Sequence, residues 1–334
     1  MTEEQPERLG LAFWGDLDIS TAIKYGRLAE SRGFGSLWLT DHIGEGRDAF
    51  ATASALVNST KRVTVGTGVI NPYSRHPAII ATMAASLDEL SKGRMIMGLG
   101  AGNPIRLTQK LGVVHVTPIA AVRECIQILD MFLRNPVFTF QGKVFQIPQI
   151  GLGFTPFRKH IPVYLAALRE QMLKLAAEIA DGVLFSIVSS PGFIENALKL
   201  VAEHRRRSSK RRTAIDSASL ISCAVAEDSD RARDKVKPII ASVLTRPGRG
   251  EYLLERTGMD PNIVGALQKG LERNQPQRIR ELIDDELVDN FSIAGTPDEC
   301  RAGLKRFRDK GLKLPVLVPV SGEYQMVIEE MGSS

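Results

Sequence analysis

The sequence predicts an α/β protein: a (β/α)8 TIM barrel with insertions, built as one domain over residues 1–334. Two observations predict it. Strand and helix signals alternate eight times along the chain, which suits a closed parallel barrel better than an open sheet. The length is ordinary for such a barrel carrying insertions, and no linker-like stretch divides it.

The repeats follow in order. Residues 9–14 read as the first strand, and Asp18 as the N-cap of a helix whose apolar spacing is set by Ile19, Ala22, Ile23, Gly26 and Ala29. The second strand is 36–40 and the second helix 48–60. Residues 63–103 are the clearest unit: strand 63–70, a polar loop, a helix entered through Pro77, a strand over 95–99 and a glycine turn. That helix shows one apolar stripe of Ile79, Ile80, Met83, Ala84, Leu87 and Leu90, closed by Gly93. A helix over about 120–133 precedes an irregular insertion at 135–160, expected to cover the barrel mouth. Strands at 161–166, 183–187 and 219–226 alternate with helices around 172–179, after Pro191 and over 229–244. A second irregular insertion occupies 246–290. Thr296-Pro297 opens what reads as the last helix, and 314–320 is the eighth strand.

The apolar fraction of 43% supplies a large core, and the 24% charged fraction argues against a mostly disordered chain. The net charge of +5 is concentrated in His204-Arg205-Arg206-Arg207-Ser208-Ser209-Lys210-Arg211-Arg212. Without that run the balance is 37 basic against 38 acidic side chains, so a nucleic-acid-binding face is not indicated. The run reads as a solvated helix end and loop, with steering of an anionic ligand as the first alternative and RNA as a distant second. Cys125, Cys223 and Cys300 are odd in number and lack CxxC spacing, as expected of reduced, buried thiols in a cytoplasmic protein. No signal peptide is evident, and no apolar run approaches the ~20 residues of a membrane span.

In a TIM barrel the site lies at the C-terminal ends of the strands. Position alone therefore selects Phe13, Trp14, Asp41, His42, residues 68–71, residues 100–103, residues 166–169, Phe185 and Ser186. The five histidines are scattered without ligand spacing, so no metal site is expected. There is no GxSxG elbow. Asp41-His42 is the best ionisable pair: either a histidine that donates to a ligand beside an aspartate that orients its loop, or two residues that merely cap and fill. Gly98-Leu99-Gly100-Ala101-Gly102 matches neither the P-loop nor the dinucleotide fingerprint, and reads equally as a phosphate cradle or a tight turn.

Taken together, these stretches resemble the bacterial luciferase-like superfamily of flavin and deazaflavin barrels. The landmarks are Leu37-Trp38-Leu39-Thr40-Asp41-His42, Gly66-Thr67-Gly68-Val69-Ile70-Asn71-Pro72, Ser74-Arg75-His76-Pro77, Leu87-Asp88-Glu89-Leu90-Ser91-Lys92-Gly93-Arg94, Gly98-Leu99-Gly100-Ala101-Gly102, Ala180-Asp181-Gly182-Val183 and Ala294-Gly295-Thr296-Pro297-Asp298-Glu299-Cys300. The third-strand segment looks most like the branch using the deazaflavin coenzyme F-420, which includes methylenetetrahydromethanopterin reductase, a sugar-phosphate dehydrogenase and a secondary-alcohol dehydrogenase.

The resemblance implies a non-proline cis peptide at Gly68-Val69 backing the coenzyme ring, with Asn71 nearby. It implies Asp41 and His42 at the reactive edge as catalytic residues, Gly100, Gly102 and Asn103 in a glycine turn, and a phosphate-binding stretch at Ala166, Ala167, Leu168 and Arg169. Two departures stand out. The sugar-phosphate dehydrogenase has a glutamate where this chain has Asn103, and the methanopterin reductase has one where this chain has Ala12.

The implied reaction is hydride transfer between the deazaflavin and a small organic molecule: a methylene-tetrahydropterin-like compound, a ketone or alcohol, or an activated C=C. An iminium-like acceptor needs no acid, whereas a ketone makes His42 the proton donor. Trp14, Phe13 and Tyr73 are candidates for an apolar wall. The alternatives are an FMN-dependent monooxygenase on the same scaffold and a barrel that has lost its cofactor. Family members are usually homodimers, which points to the helices after the second and third strands as the interface.

Overall fold

A computed structural model describes residues 8–208, 214–320 and 322–333. In chain order the elements are β1 (Gly10–Phe13), α1 (Ile19–Ser31), β2 (Ser36–Leu39), α2 (Ala49–Ser59), β3 (Thr64–Thr67), α3 (Pro77–Leu90), β4 (Met95–Leu99), α4 (Pro104–Leu111) and α5 (Pro118–Arg134). Next come β5 (Phe138–Gln141), β6 (Gln146–Ile150), β7 (Val163–Ala166), α6 (Glu170–Ile179), β8 (Gly182–Phe185), α7 (Pro191–Arg207), β9 (Asp216–Val225) and α8 (Ser229–Leu244). The chain finishes with α9 (Gly250–Thr257), α10 (Ile263–Glu272), α11 (Pro276–Leu282), α12 (Asp285–Phe291), β10 (Ser292–Gly295), α13 (Pro297–Asp309), β11 (Leu314–Pro319) and α14 (Tyr324–Met331).

Eight parallel strands close the barrel in the order β1, β2, β3, β4, β7, β8, β9, β11 and back to β1. β10 is a ninth parallel strand laid along the C-terminal half of β9, where Ser292 pairs with Ser222 and Gly295 with Val225. The eight strand positions expected from the sequence are those that form the barrel.

Helix starts obey local chemistry. Asp18 accepts the Thr21 amide at 2.9 Å ahead of α1, and Asp48 accepts the amides of Phe50 and Ala51 ahead of α2. Thr296 and Glu299 form a reciprocal capping box at α13.

The barrel interior holds two large rings, Trp38 and Tyr164, whose centroids lie 5.6 Å apart. Glycines opposite make the room: a Cβ on Gly66 would sit 2.8 Å from the Trp38 ring, and one on Gly182 2.5 Å from that of Tyr164. The Tyr164 hydroxyl donates to Asp216, which also pairs with Arg8 at 2.6 Å. Arg8 precedes β1, Asp216 begins β9 and Tyr164 is the second residue of β7, so they close the floor and leave the C-terminal end as the mouth.

Several expectations are corrected. The 135–160 insertion contains the hairpin β5–β6, which docks on α5 rather than over the mouth. Phe138 packs on Phe132 at 4.9 Å, and Glu124 accepts the amides of Lys143, Val144 and Phe145. The 246–290 segment is not irregular: it folds as α9, α10, α11 and most of α12, with glycine and proline acting as punctuation between short helices. α13 is followed by a further helix, α14. Within the basic run, Arg205 is buried and donates to the carbonyls of Ala177 and Ala180, finishing α6 from outside. Residues 209–212 of that run lie outside the described residues.

Among the described residues, no helix is long and apolar enough to cross a membrane. Nor does any group of three or more His, Cys, Asp or Glu side chains there gather to hold a metal ion. All three cysteines are buried and free of disulfides.

Candidate active site at the barrel mouth

The mouth is built around the end of β3. The Gly68-Val69 peptide is cis, the non-proline bond expected there. Gly68 donates to the Leu39 carbonyl at 2.7 Å, and Ile70 and Gly100 exchange the next bonds with their neighbours: Ile70 N–H to Gly98 O and Gly100 N–H to Ile70 O, both 2.9 Å. The turn therefore stays inside the sheet's hydrogen-bond network. A Cβ on Gly98 would overlap the Thr67 carbonyl oxygen, and one on Gly100 would lie 2.7 Å from Val69 Cγ2 and 3.2 Å from Ala166 Cβ. Val69, Gly100 and Ala166 thus meet. Gly68 is different: a Cβ there meets only ordinary contacts, 3.8 Å from Trp38 and Leu220. It leaves bare main chain above the interior side chains.

Asp41 and His42 follow β2 but do separate work. Asp41 is held by both guanidinium nitrogens of Arg75, which also reaches Asp48; the Asp41 side chain is only 2% exposed. Its carboxylate is engaged by that pair on both oxygens. The His42 ring meets Trp14 edge-on at 4.8 Å. Burial first, then the facing guanidinium groups of Arg106 and Arg246, lower its pKa to about 4 against the opposing pull of Glu45 and Asp41. With its pKa that low, the imidazole is neutral at physiological pH.

The remaining expected residues divide. Asn71 Oδ1 accepts the amides of Tyr73 and Ser74, and Asn103 Oδ1 caps α4 through the Arg106 amide at 3.2 Å. Both side-chain oxygens shape loops. Gly102, at φ +73°, turns the chain between them. Tyr73 does not form a free wall: its hydroxyl donates to the Val116 carbonyl, while His115 lies 2.9 Å from the Ala101 carbonyl. Residues 112–117 are thereby tied across the 71–74 and 100–103 loops. Phe13 is buried on Tyr324 at 5.5 Å, leaving Trp14 as the aromatic beside His42.

Ala166, Ala167, Leu168 and Arg169 lead from β7 into α6, whose first turn has no side-chain cap. Arg169 donates to the Gly248 carbonyl and stacks 4.9 Å over Tyr252, whose hydroxyl donates back to the Leu168 carbonyl at 3.3 Å. That contact brings in residues the sequence reading passed over. Arg246 and Arg249 occupy the turn between α8 and α9, and Arg249 donates to Ser186 at the end of β8. Arg106 sits near His42 and pairs with Glu45 at 2.7 Å. The Arg-Pro-Gly-Arg sequence was the available signal, hidden by treating residue 246 as the start of an insertion.

Comparisons with known proteins agree with this geometry. The family model described as luciferase-like monooxygenase matches residues 3–314. The chain is 32% identical over 292 residues to 5,10-methylenetetrahydromethanopterin reductase of Methanolobus tindarius, covering 86% of each chain. It is 31% identical over 296 residues to the reductase of the same name from Archaeoglobus fulgidus, covering 87% of each. Among solved structures, the coenzyme F-420-dependent tetrahydromethanopterin reductase of Methanopyrus kandleri matches with TM-score 0.86 at 26% identity, over 98% of both chains. With a family model spanning most of the chain and relatives above 30% identity along it, this protein belongs to the luciferase-like monooxygenase family.

Proposed function

We propose that the protein is a coenzyme F-420-dependent oxidoreductase that reduces or oxidises a small organic molecule, with an iminium-like carbon of the methylene-tetrahydropterin type as the favoured reacting centre. The single observation that carries the choice of substrate is that His42 is neutral and the two carboxylates acting on it are already held by cations. Asp41 is committed to Arg75, and Glu45 to Arg106 and Lys110. A ketone needs a proton as it accepts hydride; a cationic iminium carbon is neutralised by the hydride alone. Relatives named methylenetetrahydromethanopterin reductase lie at 32% and 31% identity, against 27% for an F-420-dependent glucose-6-phosphate dehydrogenase of Amycolatopsis mediterranei.

The residues present suit a flat, anionic coenzyme. Gly68 and Val69 leave a bare shelf that a larger side chain at Gly68 would fill, and Gly100 and Ala166 keep its rim low. The uncapped first turn of α6 leaves N–H groups for an oxyanion. When bound, the deazaflavin supplies or accepts the hydride. The protein's share is positioning and exclusion of water. Trp14 and His42 wall the reactive edge, and the 112–117 stretch, held by Tyr73 and Ala101, narrows the opening. His42 presents a neutral imidazole able to donate one hydrogen bond.

The FMN-monooxygenase alternative has less support: the solved monooxygenase RslO1 of Streptomyces bottropensis matches at 18% identity with TM-score 0.75, a likeness of fold alone. The same reading has the protein working in the cytoplasm as a homodimer without nucleic acid, with α3 as part of the interface, since Ile79 and Leu90 stand exposed on it. Anaerobic single-turnover mixing of reduced F-420 and protein with a methylene-tetrahydropterin and with a panel of ketones tests the assignment. Oxidation of the deazaflavin by the pterin but not the ketones is expected; the reverse preference would overturn it.

A further inference from the structure

Thr245-Arg246-Pro247-Gly248-Arg249 forms a tight turn between α8 and α9. The Arg249 amide donates to the Arg246 carbonyl at 3.0 Å, and Gly248 turns at φ +64°. The turn is fastened to the mouth from two sides. Arg169 and Tyr252 clamp it to the loop after β7, and the Arg249 guanidinium reaches Ser186 after β8. The fold thus spends several long-range contacts on holding two half-buried arginines close together.

Nothing described balances their charge. Among the described residues, neither Arg246 nor Arg249 makes an ion pair with a carboxylate, and the Arg249 Nε is buried with no hydrogen-bond partner. Glu45, the carboxylate whose field reaches Arg246, is already held by Arg106 and Lys110. Burial, and after it the neighbouring Arg246, lower the Arg249 pKa to about 10, which leaves it cationic at neutral pH. Two half-buried guanidinium groups without a counter-ion carry a cost, and the buried Arg249 Nε without a partner adds to it. A fold that carries both is complementary to something that brings the missing charge. The planar guanidinium matches a tetrahedral or planar oxyanion through paired N–H groups.

We propose that Arg246 and Arg249, with Ser186 orienting the latter, form an oxyanion subsite at the barrel mouth that binds a phosphate group. The subsite is distinct from the backbone stretch 166–169, though fastened to it. The inference rests on the proposed function only for who carries the phosphate, which is either the coenzyme's tail or the substrate.

The test uses the full chain and inorganic phosphate. Isothermal titration of wild type should give saturable binding, and the Arg246→Gln/Arg249→Gln double variant should lose about tenfold or more in affinity, as expected for charge-assisted hydrogen bonds. Folding is read separately. Without phosphate the double variant should melt at or above the wild-type temperature, because the repulsion has gone; with phosphate only wild type should gain. A third readout is the His42 ring resonance, whose titration midpoint should move up with phosphate in wild type and stay put in the variant. Absence of phosphate binding to wild type, or equal binding by a folded double variant, overturns the proposal.

Titration of both proteins with F-420 then separates the sources. A matching loss of F-420 affinity in the double variant assigns the phosphate to the coenzyme, whereas unchanged F-420 affinity assigns it to the substrate. Phosphate binding by a wild type that takes up no F-420 would keep the subsite and remove the proposed function.

Discussion

Arg75 grips Asp41 with two guanidinium nitrogens while reaching Asp48, so the loop after β2, the start of α2 and the loop after β3 are joined through one side chain. Asp48 in turn caps α2. The aspartate of the Asp41-His42 pair is therefore part of the scaffold that presents the histidine. With side-chain exposures of 13% and 2%, the pair is shielded from the screening that weakens surface ion pairs.

Arg75→Met strips the partner from a buried carboxylate. A loss of about 3–5 kcal/mol in unfolding free energy is expected, from urea denaturation of both proteins. A change below about 1 kcal/mol would mean that Asp41 is compensated elsewhere.

The His42 imidazole should titrate near pH 4 by carbon-edited proton NMR, well under an ordinary histidine. The folded pKa is depressed, so the unfolded chain binds more protons between about pH 4 and 6.5. Stability attributable to His42 is complete above that window and is lost as pH falls through it. The groups acting on the ring are Arg106 and Arg246, which lower its pKa, and Glu45 and Asp41, which raise it. His42→Gln should flatten the decline of melting temperature with acidification.

A neutral His42 also limits its part in turnover. His42→Ala should cost less than the ~10²-fold that loss of a general acid gives. A larger drop, with a wild-type rate that declines as pH rises through about 6.5, would restore it as the proton donor.

Glycines 98 and 68 should behave oppositely. Gly98→Ala drives a methyl group into the Thr67 carbonyl and is expected to prevent folding. Gly68→Ala meets ordinary contacts and should change stability by no more than about 1 kcal/mol while weakening F-420 binding. Thermal melting beside a fluorescence titration reads both.

Asn103→Ala removes the cap of α4. About 1 kcal/mol of stability should be lost, read from chemical denaturation. Coenzyme affinity should hold if Asn103 only shapes the loop.

How much of this was legible in the chain differs by feature. Barrel strands announced themselves because each is a short apolar run bounded by turn residues, and helix starts because Asp18, Asp48, Pro77 and Thr296 are local signals. The hairpin β5–β6 was hidden by Pro136 and Pro148, which read as loop, and α9 to α12 by their shortness. The mouth was found through position, since strand ends carry the site. The Asp41–Arg75 pair and the Arg246–Arg249 turn were not found. Asp41 and Arg75 lie on different repeats, and the Arg246–Arg249 turn meets Arg169 and Ser186 from other repeats; no spacing rule reports what the closed barrel brings face to face. The lowered pKa of His42 belongs to the same class, since two of its causes lie 64 and 204 residues further along the chain.

The most direct test of the central claim, that the bare shelf at Gly68-Val69 holds a deazaflavin, is a side-by-side spectral titration of the purified protein with F-420 and FMN. Saturable binding of F-420, weakened when Gly68 is replaced by valine, and markedly poorer binding of FMN are expected. Tighter binding of FMN than of F-420, or F-420 binding indifferent to the residue at position 68, would contradict it.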